Sequence, residues 1–215
     1  MVTFLIGSNL EVAGKKESAS NRLIDKERAL SYLTQGTEHY EKGEFEEAIL
    51  SYTKAIETNP NFAMAYNNRG ITYQKKGLHD KALSDFNKAL AINPKLAVAY
   101  ANRGLLECVA LGHYDQALAD LDKALKIDPR CHRAYYARGV VCTKKGEVNQ
   151  AINNFNMAID LKPNNAEAYH SRALVYLIGG DYDKAWDDVH KVQGLGGQVE
   201  QKLIEELQQR SGRKK

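Results

Sequence analysis

Residues 63–94 read AMAYNNRGITYQKKGLHDKALSDFNKALAINP, and this stretch decides the fold. It reads as two helices: Ala63 to Lys76 is the first, Gly77 to Asp80 the turn, and Lys81 to Ile92 the second. Glycine at the turn permits the left-handed backbone of a helix end. Proline cannot continue a helix, so Asn93-Pro94 stops the second one. Gly70 and Ala82 let the two helices approach closely, and Tyr66, Tyr73, Phe86 and Leu90 fill the space around that contact.

The pattern recurs on both sides. Prolines fall at Pro60, Pro94, Pro129 and Pro163, with spacings of 34, 35 and 34. The same beat carries Gly36, Gly70, Gly104, Gly139 and Ala173; Ala48, Ala82, Ala117, Ala151 and Ala185; and Tyr32, Tyr66, Tyr100, Tyr135 and Tyr169. One helix pair cannot bury its apolar faces alone, so pairs must stack, and about three are needed for a stable array. The expected fold is an all-α solenoid of five helix pairs plus a cap.

The order aromatic, small, aromatic, Ala, aromatic, Ala, Pro resembles the tetratricopeptide repeat (TPR), best in Tyr66, Gly70, Tyr73, Gly77, Ala82, Phe86, Ala89 and Pro94. The resemblance implies a right-handed α-α superhelix of five helix-turn-helix repeats, at 29–62, 63–96, 97–131, 132–165 and 166–199. Where the family often has Trp, this chain has Tyr five times. The last repeat departs from the pattern: Gly194-Leu-Gly-Gly197 replaces the proline and Val192 replaces Ala. Residues 198–210, with Val199, Leu203 and Leu207 apolar, read as a helix capping the last apolar face. Residues 1–28 form an N-terminal extension, expected to be disordered over 1–19 and to lengthen the first helix from Ser20 to Arg28. Residues 211–215 are a basic tail.

Composition bounds the chemistry. The 215 residues carry a net charge of +3, too small by itself to argue for nucleic acid. No stretch approaches the roughly 20 apolar residues of a membrane span. Cys108, Cys131 and Cys142 form no CxxC, and the N-terminus has no basic n-region, so a reduced, cytoplasmic protein is expected. There is no Gly-rich phosphate loop, no GxSxG and no zinc-ligand spacing, and the six histidines are scattered. Glu46-Glu47 and Asp187-Asp188 read as solvated helix faces. No cofactor, no metal site and no catalysis are expected.

The resemblance also implies where a partner binds. In the TPR family the first helices line a concave groove that holds a peptide or a partner's helix, through positions 2, 5, 6, 9 and 12 of each repeat. The residues expected to line it are Met64, Asn67, Asn68, Ile71, Val98, Asn102, Leu105, Val109, Arg133, Tyr136, Val140, His170 and Leu174. At position 6, Asn68 and Asn102 resemble the start of an asparagine ladder that pairs with a peptide backbone; the alternative is that they bond neighbouring helices or water. At position 9, Ile71, Leu105, Val140 and Leu174 form an apolar stripe. It either takes apolar side chains of a ligand, packs as core between first helices, or is covered by the cap helix or by Val2 to Ile6 of the same chain.

Two family activities are tested against the residues. A carboxylate clamp for chaperone C-termini needs Lys and Asn at positions 5 and 9, Asn at position 6 of the next repeat, then Lys and Arg. The first register supplies Leu33, Thr37, Asn68, Val98 and Asn102, and no register rebuilds the charges that would hold a carboxylate pair, so a clamp is not expected. Arginines recur at position 7 as Arg69, Arg103, Arg138 and Arg172, opposite Asp85, Asp120, Asn154 and Asp188 at position 23. An arginine fork pairs well with a carboxylate, so a structural ladder is expected. The rival is an anion or nucleic-acid binder using the same arginines.

The third repeat has one extra residue: Gly70 to Gly77 spans seven steps, Gly104 to Gly112 eight. A π-bulge, often found at functional sites, or a one-residue slip at the helix end would absorb it. The overall expectation is a non-catalytic scaffold for a protein or peptide ligand. The alternative is a self-associating or self-filled structural spacer.

Overall fold

A computed structural model describes residues 23–212. Among the described residues every regular element is helical. The chain divides into two compact units between Pro94 and Lys95. The expected disorder of residues 1–19, the Val2 to Ile6 segment, and Arg213, Lys214 and Lys215 lie outside the described residues.

The first unit holds α1 (residues 23–41), α2 (Phe45–Thr58), α3 (Ala63–Lys75) and α4 (His79–Ile92). Residues 23–28 are helical, as expected, and belong to α1. Helix α4 begins at His79, two residues before the Lys81 read from the sequence. Leu78 stands at its start with no side-chain cap, so no Ser, Thr, Asp or Asn marks the boundary. Asp80 lies inside the first turn, where a carboxylate opposes the positive end of the helix dipole. Gly77 takes φ +72°, a value an L side chain resists, and lets the chain reverse in three residues.

The second unit holds α5 (Ala97–Leu106), a π segment (Glu107–Leu111), α6 (Tyr114–Ile127), α7 (His132–Lys144), α8 (Val148–Leu161), α9 (Ala166–Gly179), α10 (Tyr182–Gly194) and α11 (Gln201–Ser211). The extra residue of the third repeat is absorbed as one wide π turn. The amide of His113 closes it on the Glu107 carbonyl at 2.9 Å. The wide turn keeps Leu106 and Cys108 buried and turns Val109 outward, 57% exposed.

Within each pair the contact is built from small residues against large ones. Ala48, Ala82, Ala117, Ala151 and Ala185 are fully buried. A Cβ added at Gly139 would lie 2.6 Å from the Phe155 ring, so only glycine admits that ring. In the fifth pair Ala173 replaces the glycine, and the facing residue is Val189, one of the smaller side chains at that place.

Helix α11 begins at Gln201, three residues later than Gln198, because Glu200 is extended (ψ 129°). Its buried face, Leu203 and Leu207, joins Tyr176, Leu177, Trp186 and Val189, with Val199 packed against them. Trp186 Nε1 donates to Ser211 Oγ at 3.3 Å and fixes the far end. The last apolar face is therefore covered within the same unit.

Candidate functional site

The arginines belong to the frame. Arg69 forks onto Asp85 (2.8 and 2.9 Å), Arg103 onto Asp120 (2.6 and 2.7 Å) and Arg172 onto Asp188 (2.8 and 2.6 Å). Two of these guanidinium groups also reach back one pair. Arg69 Nη1 donates to Thr53 Oγ1 at 3.0 Å, and Arg172 Nη1 donates to Asn156 Oδ1. All four position-7 arginines stack on the tyrosine of their own repeat, Arg69 on Tyr66 at 5.7 Å, Arg103 on Tyr100 at 5.6 Å, Arg138 on Tyr135 at 5.5 Å and Arg172 on Tyr169 at 5.5 Å, and Arg69 and Arg172 also meet Tyr73 and Tyr176 at 5.8 and 5.6 Å. The repeated tyrosine is thus a platform for the arginine, a role that spacing alone does not reveal.

The charges respond to this pairing. Burial works against the charge on Arg69 and Arg172, but the hydrogen bonds and charges of Asp85 and Asp188 outweigh it and hold both guanidiniums above their ordinary value. For Arg103 the hydrogen bond to Asp120 leads. Burial pushes the Asp188 carboxyl up, and Arg172 pulls it back only in part. Three of the four arginines are thus engaged by carboxylates inside the fold.

On the first-helix face of the first unit, Met64, Asn68 and Ile71 are half-buried, whereas Asn67 is 2% exposed. Asn67 Nδ2 donates to Asn68 Oδ1 at 3.1 Å, and Tyr52 donates its hydroxyl to Thr37 Oγ1 at 3.3 Å. Burial raises the Tyr52 hydroxyl, and its hydrogen bonds to Thr37 and Asn68 pull it back. Asn68 therefore spends part of its capacity inside the unit. Leu23 and Leu30, seven residues apart on α1, are 59% and 55% exposed, an apolar surface the sequence reading did not single out.

On the first-helix face of the second unit, Val98, Leu105, Val140 and Leu174 are all half-buried. Val140 packs against the cluster that includes Phe155 and Val175, and Leu174 against the cluster that α9, α10 and α11 share. Each presents one side to the core and the other outward. Asn102 is 2% exposed and accepts from Arg133 Nη1 at 3.3 Å, so this amide links α5 to α7. Tyr136 packs on Phe155 with ring centres 5.9 Å apart, and its hydroxyl accepts from Ser171 Oγ at 3.5 Å. His170 is half-buried, with its Nδ1 buried and without a hydrogen-bond partner. Val109 lies apart from this row, in the π segment.

The family model described as "TPR repeat" matches residues 36–77, 106–142 and 139–180, more than half of the chain. The model described as "Tetratricopeptide repeat" matches residues 63–96. The chain belongs to the tetratricopeptide repeat family. No curated protein matches its sequence. Among solved structures, a thermophilic TPR protein from Thermus thermophilus is 22% identical, with TM-score 0.74 over 86% of this chain and 100% of its own. PilW, a type IV pilus biogenesis factor, is 22% identical, with TM-score 0.71 over 86% of each chain. YrrB, described as a TPR protein with an unusual peptide-binding site, is 23% identical, with TM-score 0.52 over 86% of this chain and 93% of its own. At these identities the likeness is one of fold. TPR proteins serve in general as protein-interaction scaffolds. Among the described residues no helix is long and apolar enough to cross a membrane, and no three His, Cys, Asp or Glu side chains gather as metal ligands.

Proposed function

We propose that this TPR protein is a non-catalytic scaffold that binds an extended peptide or a helix of a partner protein on its first-helix faces. The observation that carries the reading is the half-open aliphatic row Val98, Leu105, Val140 and Leu174 in the second unit, with Arg133 and His170 beside it. Such a row offers contact area to apolar side chains, and the flanking polar groups fix register. In the first unit Met64, Asn68 and Ile71 play the corresponding part. A clamp for acidic C-termini is not part of this reading, since the positions that would hold its first lysine carry Leu33, Asn67 and Ala101. Nucleic acid is not the partner on this reading, because three arginines are already paired within the fold. Three buried, unpaired cysteines fit a reducing, cytoplasmic setting.

A peptide-display screen tests the proposal. Wild type is compared with a variant carrying Val98→Lys, Leu105→Lys and Arg133→Glu, after circular dichroism confirms that the variant is folded. Peptides captured by wild type and lost by the variant support the face. Equal capture by both proteins rejects it.

A further inference from the structure

A cavity of about 540 Å3 opens in the second unit, between α6, α7 and α8. Leu118 and Met157 are apolar side chains of its lining, and Arg138, Lys145 and Asn154 are among the polar ones. At 3.6 residues per turn, Arg138 and Cys142 lie on the opposite side of α7 from Arg133, Tyr136 and Val140. The cavity is therefore separate from the face proposed above. Its volume lies within the roughly 300–1,000 Å3 of small-ligand sites.

Arg138 sits at the place where Arg69, Arg103 and Arg172 each hold a carboxylate in their fork. Here the facing residue is Asn154, which accepts a single bond from Arg138 Nε at 2.7 Å. Asn154 Nδ2 is turned away, donating to the Gln150 carbonyl at 2.8 Å. The nearest carboxylate is Asp122, 3.6 Å from Nη1, and that side chain is 71% exposed and screened by water. Glu147, also on the cavity wall, is taken by Lys145 at 3.3 Å. One guanidinium thus faces a cavity with a positive charge that no buried carboxylate balances.

We propose that this cavity binds a small carboxylate bearing an aliphatic group, the acid on Arg138 and the aliphatic group against Leu118 and Met157. A carboxylate is favoured over a phosphate because an arginine at this place in the repeat holds a carboxylate in three sister repeats; with Nε given to Asn154, the terminal nitrogens of Arg138 are the ones left for the acid. A free branched-chain acid and the C-terminal residue of a peptide share this chemistry.

Methyl NMR tests it, since the protein has three methionines, Met1, Met64 and Met157. The probes are N-acetylleucine, its uncharged amide, the free-acid tripeptide Ala-Ala-Leu, and inorganic phosphate. The expected result is saturable movement of the Met157 methyl with N-acetylleucine or the tripeptide, no movement of Met64, and at least about tenfold weaker binding of the amide. Tighter binding of the tripeptide identifies a chain terminus as the source, and tighter binding of N-acetylleucine a free acid. Asn154→Asp places the missing carboxylate in the fork, as in three other repeats, so it keeps the fold and abolishes the shift. Arg138→Gln abolishes it too, and Asp122→Asn strengthens it. The proposal is overturned if Met157 does not move up to about 20 mM ligand, if phosphate binds as well as the acids, or if Asn154→Asp binds like wild type.

Discussion

Gly139 and Phe155 form a pair whose energetics follow from distance. A Cβ at position 139 would lie 2.6, 2.8 and 2.9 Å from three atoms of the Phe155 ring, where ordinary contact begins near 3.4 Å. The ring is 1% exposed and has nowhere to retreat. Overpacking of this kind costs about 3 kcal/mol, the upper part of the usual range. Alanine returns about 1 kcal/mol of helix propensity, so Gly139→Ala should lose about 2 kcal/mol. Phe155→Val leaves a cavity and should lose about 3 kcal/mol. If the effects were independent, the double variant would lose about 5 kcal/mol. It should lose only about 2 kcal/mol, because the clash disappears with the ring and the helix gain remains. The fifth pair already uses this combination in Ala173 and Val189. Urea unfolding followed by far-ultraviolet circular dichroism, on wild type, both single variants and the double, measures the coupling. A double variant that loses the full sum would refute the reasoning.

Three further outcomes follow from the charges and the cap. Arg172→Met leaves Asp188, 3% exposed, without its partner and should cost about 3–5 kcal/mol at neutral pH. The Asp188 carboxyl is pushed up by burial, so the native state takes its proton before the unfolded chain does. Stability from this group is full below the unfolded value and fades as pH rises through the folded one, so the variant's loss should shrink in acid; equal losses of Tm at neutral and at acid pH would count against it. His132 is held down, first by burial and then by the charges of Lys162 and Arg133. The unfolded chain therefore protonates first as pH falls below about 6.5. Stability should drop from there toward the folded value, and His132→Gln should flatten the slope of Tm against pH. Leu207→Ala, at a fully buried position of the cap, should cost about 2–5 kcal/mol and red-shift the fluorescence of Trp186, the only tryptophan.

The period was legible because each recurring residue class solves one geometric problem: proline stops a helix, glycine or alanine admits a neighbour, and an aromatic fills the gap. The Arg–Asp pairs were legible for the same reason, since a half-buried guanidinium needs a carboxylate. The start of α3 at Ala63 was read from the sequence, but that of α4 was not, because Leu78 stands there without a capping side chain. The groove was read by direction and not by depth. A helical wheel places Asn67 and Asn102 on the first-helix face, but both are 2% exposed. Asn102 is met by Arg133, 31 residues away, and that meeting depends on how closely α5 and α7 pack. The extra residue in the third repeat was countable, but its resolution as a π turn depends on which of Leu106, Cys108 and Val109 the core retains.

Five repeats in one chain also act as controls on one another. In the first repeat position 7 is Gln35 and position 23 is Ser51, so the arginine and the acid are absent together. In the second, third and fifth both are present, and the distances show them bonded. Partners that come and go together behave as one unit, as expected when either alone would be a poorly compensated buried charge. The fourth repeat breaks this rule: Arg138 stays while the acid becomes Asn154. Arg138 keeps its bond to Asn154 and its place over the Tyr135 ring, yet it lacks the forked carboxylate that its three counterparts hold. The retained charge faces the cavity lined by Leu118 and Met157, and the exposed Asp122, 3.6 Å away, is the carboxylate it has there in place of the one its counterparts hold in their forks.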